Sequence, residues 1–199
     1  MVAITAVFRM YVTLMPVILT GILNMIWLKL PVLSNLSRPL DHGVILWDHR
    51  RLFGDNKTYK GIVGYVVLAL FTTVLWGWFC YRVPTLYQNN FFYINYPCSL
   101  SYNLLIGLLL GLAYSVSELP NSFLKRRLDI KEGEAPTGLI KWFFVFMDQA
   151  DSLFGCVWIL SWFYSMSLPF YLVYVFLGAI THLVVNVLLY FGGLRKNMF

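Results

Sequence analysis

The sequence predicts an all-α integral membrane protein: a bundle of about five transmembrane helices with two functional cytoplasmic loops. Three observations predict it. Hydrophobic residues make up 59% of the 199 positions and charged residues only 12%, where soluble domains carry about 25% charged. Five apolar runs reach the roughly 20 residues that an α-helix needs to cross a bilayer core. Lysine and arginine collect in alternate connections between those runs, as the positive-inside rule requires.

The first run covers residues 10–30 and holds Pro16, which a span tolerates if a neighbour covers the carbonyl it frees. It reads as a retained span, because no small-residue cleavage site follows it. The second covers 61–81. The third covers 100–119, and Gly107 with Gly111 gives it a small-xxx-small contact face. Pro120 then marks a break or kink, with Asn121 or Ser122 as a cap for whatever helix follows. The fourth covers 142–164. The fifth covers 168–192 and ends at Gly192-Gly193. No domain boundary or low-complexity tract interrupts the chain, so residues 1–199 read as one polytopic membrane domain.

Orientation follows from the connections. Loop 31–60 carries Arg38, Arg50, Arg51, Lys57 and Lys60; loop 120–141 carries Lys125, Arg126, Arg127, Lys131 and Lys141; the tail carries Arg195 and Lys196. Loop 83–99 has no lysine or arginine and is rich in Tyr, Phe and Asn, which suits an aromatic belt at the outer interface. The basic loops therefore face the cytoplasm, with the protein in the cell membrane. The net charge of +6 is accounted for by this bias, so no nucleic-acid partner is expected. Cys80, Cys98 and Cys156 lack metal-site spacing. Cys80 and Cys98 fall on the same outer side, where a disulfide is one reading and free thiols the other.

Three constellations carry candidate chemistry. In the first loop, Asp48, Arg50, Arg51, Asp55, Lys57, Thr58 and Lys60 lead into the second span. Gly54-Asp55-Asn56 reads as a turn, and the helix start beyond it favours an anion. A phosphate cradle and a lipid-anchoring basic loop both fit this pattern. At the end of the third span, Glu118 is followed by Ser122 and the basic triplet Lys125-Arg126-Arg127. In the fourth span, Asp148 and Asp151 lie three residues apart within apolar sequence, on one helix face. Each acid at a helix centre costs about 2.5–3.5 kcal/mol on insertion scales. A structural pair held by a neighbouring cation, an ion pathway and a metal site each explain them. His182 and Asn186, four residues apart in the fifth span, read as a site pair or as an interhelical hydrogen-bonded pair.

The order Asp48-x-Arg50-Arg51-x-x-Gly54-Asp55-x-Lys57-Thr58-x-x-Gly61, then Ser122-Phe123-x-Lys125-Arg126-Arg127-Leu128, then Asp148-Gln149-x-Asp151 resembles the CDP-archaeol synthase family of CTP-dependent lipid-phosphate cytidylyltransferases. The resemblance implies transfer of CMP from CTP to a membrane lipid phosphate, with Mg²⁺ and release of pyrophosphate. It implies Asp148 and Asp151 as metal ligands and, with Lys125, as catalytic residues. It also implies Asp48, Arg50, Arg51, Asp55, Lys57, Thr58, Lys60, Ser122, Arg126 and Arg127 as substrate-binding residues. Where the family commonly has Gly-Asp, this chain has Ser117-Glu118, and Glu118 is the third candidate metal ligand. A small ion-coupled transporter and a non-catalytic lipid- or nucleotide-binding relative are the competing expectations. The acceptor's chain type and the oligomeric state are not encoded in these motifs.

Overall fold

The computed structural model describes residues 2–132, 134, 136 and 138–193; the basic tail residues Arg195 and Lys196 lie outside them. The elements are α1 (Val2–Lys29), α2 (Tyr59–Arg82), α3 (Pro84–Gln88), α4 (Leu100–Arg127), α5 (Ile140–Phe163) and α6 (Leu168–Phe191). All but the short α3 are long and apolar enough to cross a membrane. No β-strand forms among the described residues. The five long helices pack in the order α1, α2, α4, α5, α6. One end of the bundle gathers loops 30–58 and 128–139, and is called here the basic end. The other, the aromatic end, is built from residues 83–99.

Local chemistry sets the helix limits. Thr58, Ser99 and Ser167 cap α2, α4 and α6 by accepting the backbone N–H of Gly61, Tyr102 and Phe170, which satisfies donors that a helix start leaves open. Pro16 stays inside α1 because the indole N–H of Trp76 donates to the Val12 carbonyl at 2.8 Å, the group that the proline leaves without a partner. Pro120 does not break α4, contrary to the sequence expectation: the helix runs on two further turns to Arg127. It ends where Asp129 N–H meets Arg126 O and Ile130 N–H meets Lys125 O. Asp129 takes the left-handed position, φ 57°, usually held by glycine in this closing motif. The basic triplet is therefore helical, not a loop.

The Gly107/Gly111 face packs on α2. A Cβ on Gly107 would stand 2.8 Å from the Leu70 Cα, and one on Gly111 2.6 Å from the Val66 Cα. Only glycine allows the two backbones to approach this closely. At the aromatic end, Phe91, Phe92 and Tyr93 are buried, not spread along an interface as the belt reading expected. Phe91 N–H donates to Thr13 Oγ1 at 2.9 Å and Tyr93 Oη to Asn103 Oδ1 at 2.7 Å, so the segment plugs that end. Cys80 and Cys98 are free thiols. Each has its own partner: Asn90 Nδ2 donates to Cys80 Sγ, and Cys98 Sγ donates to Gly77 O at 3.3 Å.

Loop 30–58 folds around one buried carboxylate. Asp41 accepts from the backbone N–H of Gly43, Phe53 and Gly54 and from the Arg51 guanidinium, at 2.6–3.1 Å. Burial alone would raise its pKa; Arg51 and the three amides outweigh that and hold it well below the usual carboxylate range. The turn then fixes Lys57, whose carbonyl accepts Leu40 N–H at 2.7 Å.

Two outcomes test this framework. Gly111→Val is expected to push α4 off α2 and destabilise the protein by about 1–3 kcal/mol, read as a lower melting temperature in detergent. Asp41→Asn is expected to release the Phe53 and Gly54 amides, which would exchange hydrogen faster as about 1–3 kcal/mol of local stability is lost. Because the folded Asp41 pKa is depressed, its contribution is present above the ordinary carboxylate range and fades only as pH falls through the folded value. In the wild type these amides should stay protected at pH 4.

Candidate active site

Three elements converge at the basic end. Glu118, Asn121, Ser122 and Lys125 recur at helical spacing on one face of α4. Asp148 and Asp151 face them from α5, one turn apart. Lys57 arrives from the turn preceding α2. The two aspartates meet at a single group: Asn121 Nδ2 donates to Asp148 Oδ1 and to Asp151 Oδ2, both at 2.8 Å. Lys125 Nζ reaches both oxygens of Asp148 at 2.6 Å and lies over the Phe144 ring, 5.5 Å from its centroid. Asp151 also accepts the Ser152 backbone N–H at 2.7 Å.

Glu118 belongs to a neighbouring pair. It accepts from Lys57 and, at 3.0 Å, from the Tyr65 hydroxyl. Burial would lower the Lys57 pKa, but Glu118 first, then Asp151 and Asp148, reverse the sign and raise it above the ordinary lysine value. Three carboxylates and two ammonium groups give the cluster a formal charge of −1.

The expected metal set is altered by this geometry. Among the described residues, no three acidic, histidine or cysteine side chains close into a metal-ligating group. Glu118 is turned to Lys57 and Tyr65 instead of joining the aspartates. Asp148, Asp151 and Asn121 form the better-fitting donor set. Asn121 is buried and its Oδ1 has no hydrogen-bond partner, while its Nδ2 stands between two carboxylates. Rotating the amide by half a turn exchanges these atoms and offers an all-oxygen set, the ligand chemistry that Mg²⁺ prefers.

The remaining expected substrate-binding residues sort differently. Arg50 donates to the Arg127 carbonyl and pairs with Asp129. Arg51 pairs with Asp41 and Asp55, both at 2.6 Å. Arg127 pairs with Asp48 at 2.8 Å, donates to the Arg51 carbonyl, and covers the Phe123 ring. Asp48, Arg50, Arg51, Asp55 and Arg127 thus clamp loop 30–58 to the end of α4. Lys60 points the other way: buried, it donates to Leu28 O and Leu30 O and closes the end of α1. Thr58 is a helix cap, and Ser122 lies half-buried beside Asn121. Arg126 is the least committed guanidinium, with Nη1 3.5 Å from Glu132 and a buried Nε that has no partner.

Asn121, Tyr65 and Asp41 carry structural weight that the sequence reading missed. Asn121 was considered only as a cap; its position three residues after Glu118 and four before Lys125 was the available signal. Of His182 and Asn186, the hydrogen-bonded reading holds: Asn186 Nδ2 donates to Gln149 Oε1 at 2.6 Å, and His182 Nδ1 stands 3.2 Å from Gln149 O.

Comparison with known proteins adds the family. The CarS-like family, described as CDP-archaeol synthase, matches residues 15–199. A CDP-archaeol synthase of Methanoculleus marisnigri is 32% identical over 167 residues, 79% of this chain and 87% of that protein. One from Pyrococcus furiosus is 33% identical over 115 residues, and there the match spans only 60% of the relative's length. A solved structure, reported as an intramembrane enzyme for archaeal membrane lipids biosynthesis, shares the fold at TM-score 0.59 and 22% identity, over 89% of this chain and 92% of that one. The chain belongs to the CarS-like CDP-archaeol synthase family, a family of CTP-dependent cytidylyltransferases.

Proposed function

We propose that this chain transfers CMP from CTP to a membrane lipid phosphate, using Mg²⁺ and releasing pyrophosphate, at a site facing the cytoplasm. The observation that carries the reading is the meeting of Asp148 and Asp151 at Asn121, with Lys57 and Lys125 beside them. An acid pair within apolar helices suits a metal, and buried ammonium groups suit phosphate. Family membership supplies the nucleotide and the reaction class. The basic loops at this end support the cytoplasmic orientation.

In the reaction, an oxygen of the lipid phosphate attacks the α-phosphorus of CTP. The bond from that phosphorus to the bridging oxygen breaks, and pyrophosphate leaves. The products are a CDP-lipid and pyrophosphate, so atoms and charge balance. Asp148 and Asp151, joined by Asn121 Oδ1, would hold Mg²⁺, which when bound neutralises triphosphate charge. Lys125, now on both oxygens of Asp148, would turn to a phosphate oxygen when CTP is bound. Lys57, held by Glu118, presents positive charge to the lipid phosphate. Arg126 exchanges Glu132 for the leaving pyrophosphate. The Arg50–Asp129 and Arg127–Asp48 pairs hold the two loops in register around these groups.

The family description points to an ether-linked isoprenoid acceptor, and a diacylglycerol phosphate is the other arm of the test. Purified protein with CTP and Mg²⁺ should release pyrophosphate with at least one of them; silence with both would sink the reading. Asp151→Asn should abolish turnover without loss of expression. Lys125→Met should lower kcat by about 10²–10³, the usual loss for one positioned charge donor. Asn121→Ala should weaken Mn²⁺ binding, followed by electron paramagnetic resonance, by about 10–100-fold. Unchanged Mn²⁺ affinity in that variant would remove Asn121 from the metal site. Chelation should stop turnover, and added Mg²⁺ should restore it.

A further inference from the structure

We propose that the cavity between α1 and α6 seats the headgroup-proximal carbons of one hydrocarbon chain of the acceptor lipid, leading its phosphate to Lys57. The proposal rests on the cytidylyl-transfer reading and adds a binding site for the lipid tail. The cavity has an accessible volume of ≈ 90 Å³ and is walled by Ile18, Ile22 and Met25 of α1 and by Val185 and Leu189 of α6. Its inner end is lined by Glu118, which binds Lys57, and by Tyr65, which donates to Glu118. An apolar space thus opens directly onto the charged cluster. That is the shape an amphiphile requires, with a phosphate at one end and a chain at the other.

The helix arrangement explains why the space exists. α1 and α6 both run from the aromatic end to the basic end. The bonds between them, Tyr174 Oη to Met10 O at 2.8 Å and Tyr11 Oη to Thr181 Oγ1 at 3.0 Å, lie toward the aromatic end. Nearer the basic end α1 leans on α2, through Trp27 Nε1 to Lys60 O. There α6 leans on α5, through Asn186 to Gln149. The seam between α1 and α6 is left to something else.

Hydrocarbon fits that role better than water. Asn186 and His182 on the wall meet Gln149, and Thr181 meets Tyr11, while the buried Ser152 hydroxyl has no partner. The rest of the wall is mainly aliphatic, and apolar cavities stay dry and take apolar ligands. A 150 Å³ apolar cavity accepts benzene, so about 25 Å³ serves each carbon and this space suits roughly three or four carbons. That is the start of one chain, with the rest of the lipid in the bilayer outside the seam.

The test is photocrosslinking of the full chain in lipid nanodiscs, using a lipid phosphate with a diazirine close to the glycerol end of one tail and mapping adducts by mass spectrometry. Adducts should concentrate on Ile18, Ile22, Val185 and Leu189, above those on Val184 and Leu188, which are exposed on the outer face of α6. Filling the seam with Ile22→Trp, or independently Val185→Trp, should cut cavity labelling by about tenfold. Labelling that favours Val184 and Leu188, or that survives both substitutions in folded protein, overturns the proposal. Pyrophosphate release from the same preparations separates the two readings. Cavity adducts without turnover would leave the tail site standing and remove the enzymatic reading. Turnover without cavity adducts would do the reverse.

Discussion

A carboxylate in an apolar helix bundle must have positive charge or hydrogen-bond donors beside it, and the basic end is built on that constraint. Removing an ion from water costs several kcal/mol even after relaxation. Glu118, Asp148 and Asp151 meet that cost with partners from other elements. Lys57 comes from the turn before α2 to serve an acid on α4, and Lys125 comes from α4 to serve an acid on α5. Asp151, the most enclosed of the three, relies on Asn121 and the Ser152 amide. No helix satisfies its own acid with its own cation. The charge cluster therefore fixes the relative positions of α2, α4 and α5, and those positions in turn define the site.

The loops serve the same end from outside. Asp41 collects Arg51 and three backbone amides, so the segment that delivers Lys57 is rigid. Asp129 closes α4 in the left-handed conformation and is then placed to pair with Arg50. Arg127 closes the circuit by pairing with Asp48. Four acids thus immobilise three arginines around the two lysines. An arginine fork is well matched to such carboxylate and carbonyl contacts. A lysine, as a compact charge on a flexible stem, is the better group to exchange one anion for another. The division of labour follows from side-chain chemistry: arginines build the rim and lysines face the reacting groups.

The five spans were legible because hydropathy and loop charge report the bilayer directly; α2, α5 and α6 lie within two residues of their apolar runs, while α1 begins eight residues earlier and α4 ends eight residues later. The long helices match the five apolar runs, and the α2–α4 contact sits where Gly107 and Gly111 predicted it. Pro120 misled because a proline removes only one backbone donor, and α4 continues past it to Arg127. The site was legible in part. The aspartate pair stands out because acids are rare in apolar sequence. The pairing of the arginines was not legible, because a sequence displays charges but not their partners; Asp41, Asp48, Asp55 and Asp129 were as visible as the arginines they neutralise. The carbonyls that bind Lys60 were hidden for the same reason, since they lie 30 residues or more earlier in the chain. Asn121 escaped notice because a neutral amide has no charge signature.

Glu118 marks where the charged site and the apolar cavity meet. The family's usual Gly-Asp is Ser-Glu here, and both changes have a structural reading. Ser117 packs against α5, where a Cβ on Gly155 would meet its hydroxyl at 2.0 Å, so Gly155 supplies the room that a glycine at 117 would otherwise provide. Glutamate is one methylene longer than aspartate, and it divides its two oxygens between Lys57 and Tyr65 on the α2 side. An acid so engaged is placed to position Lys57, and it stands where the charged cluster meets the apolar cavity that it also lines.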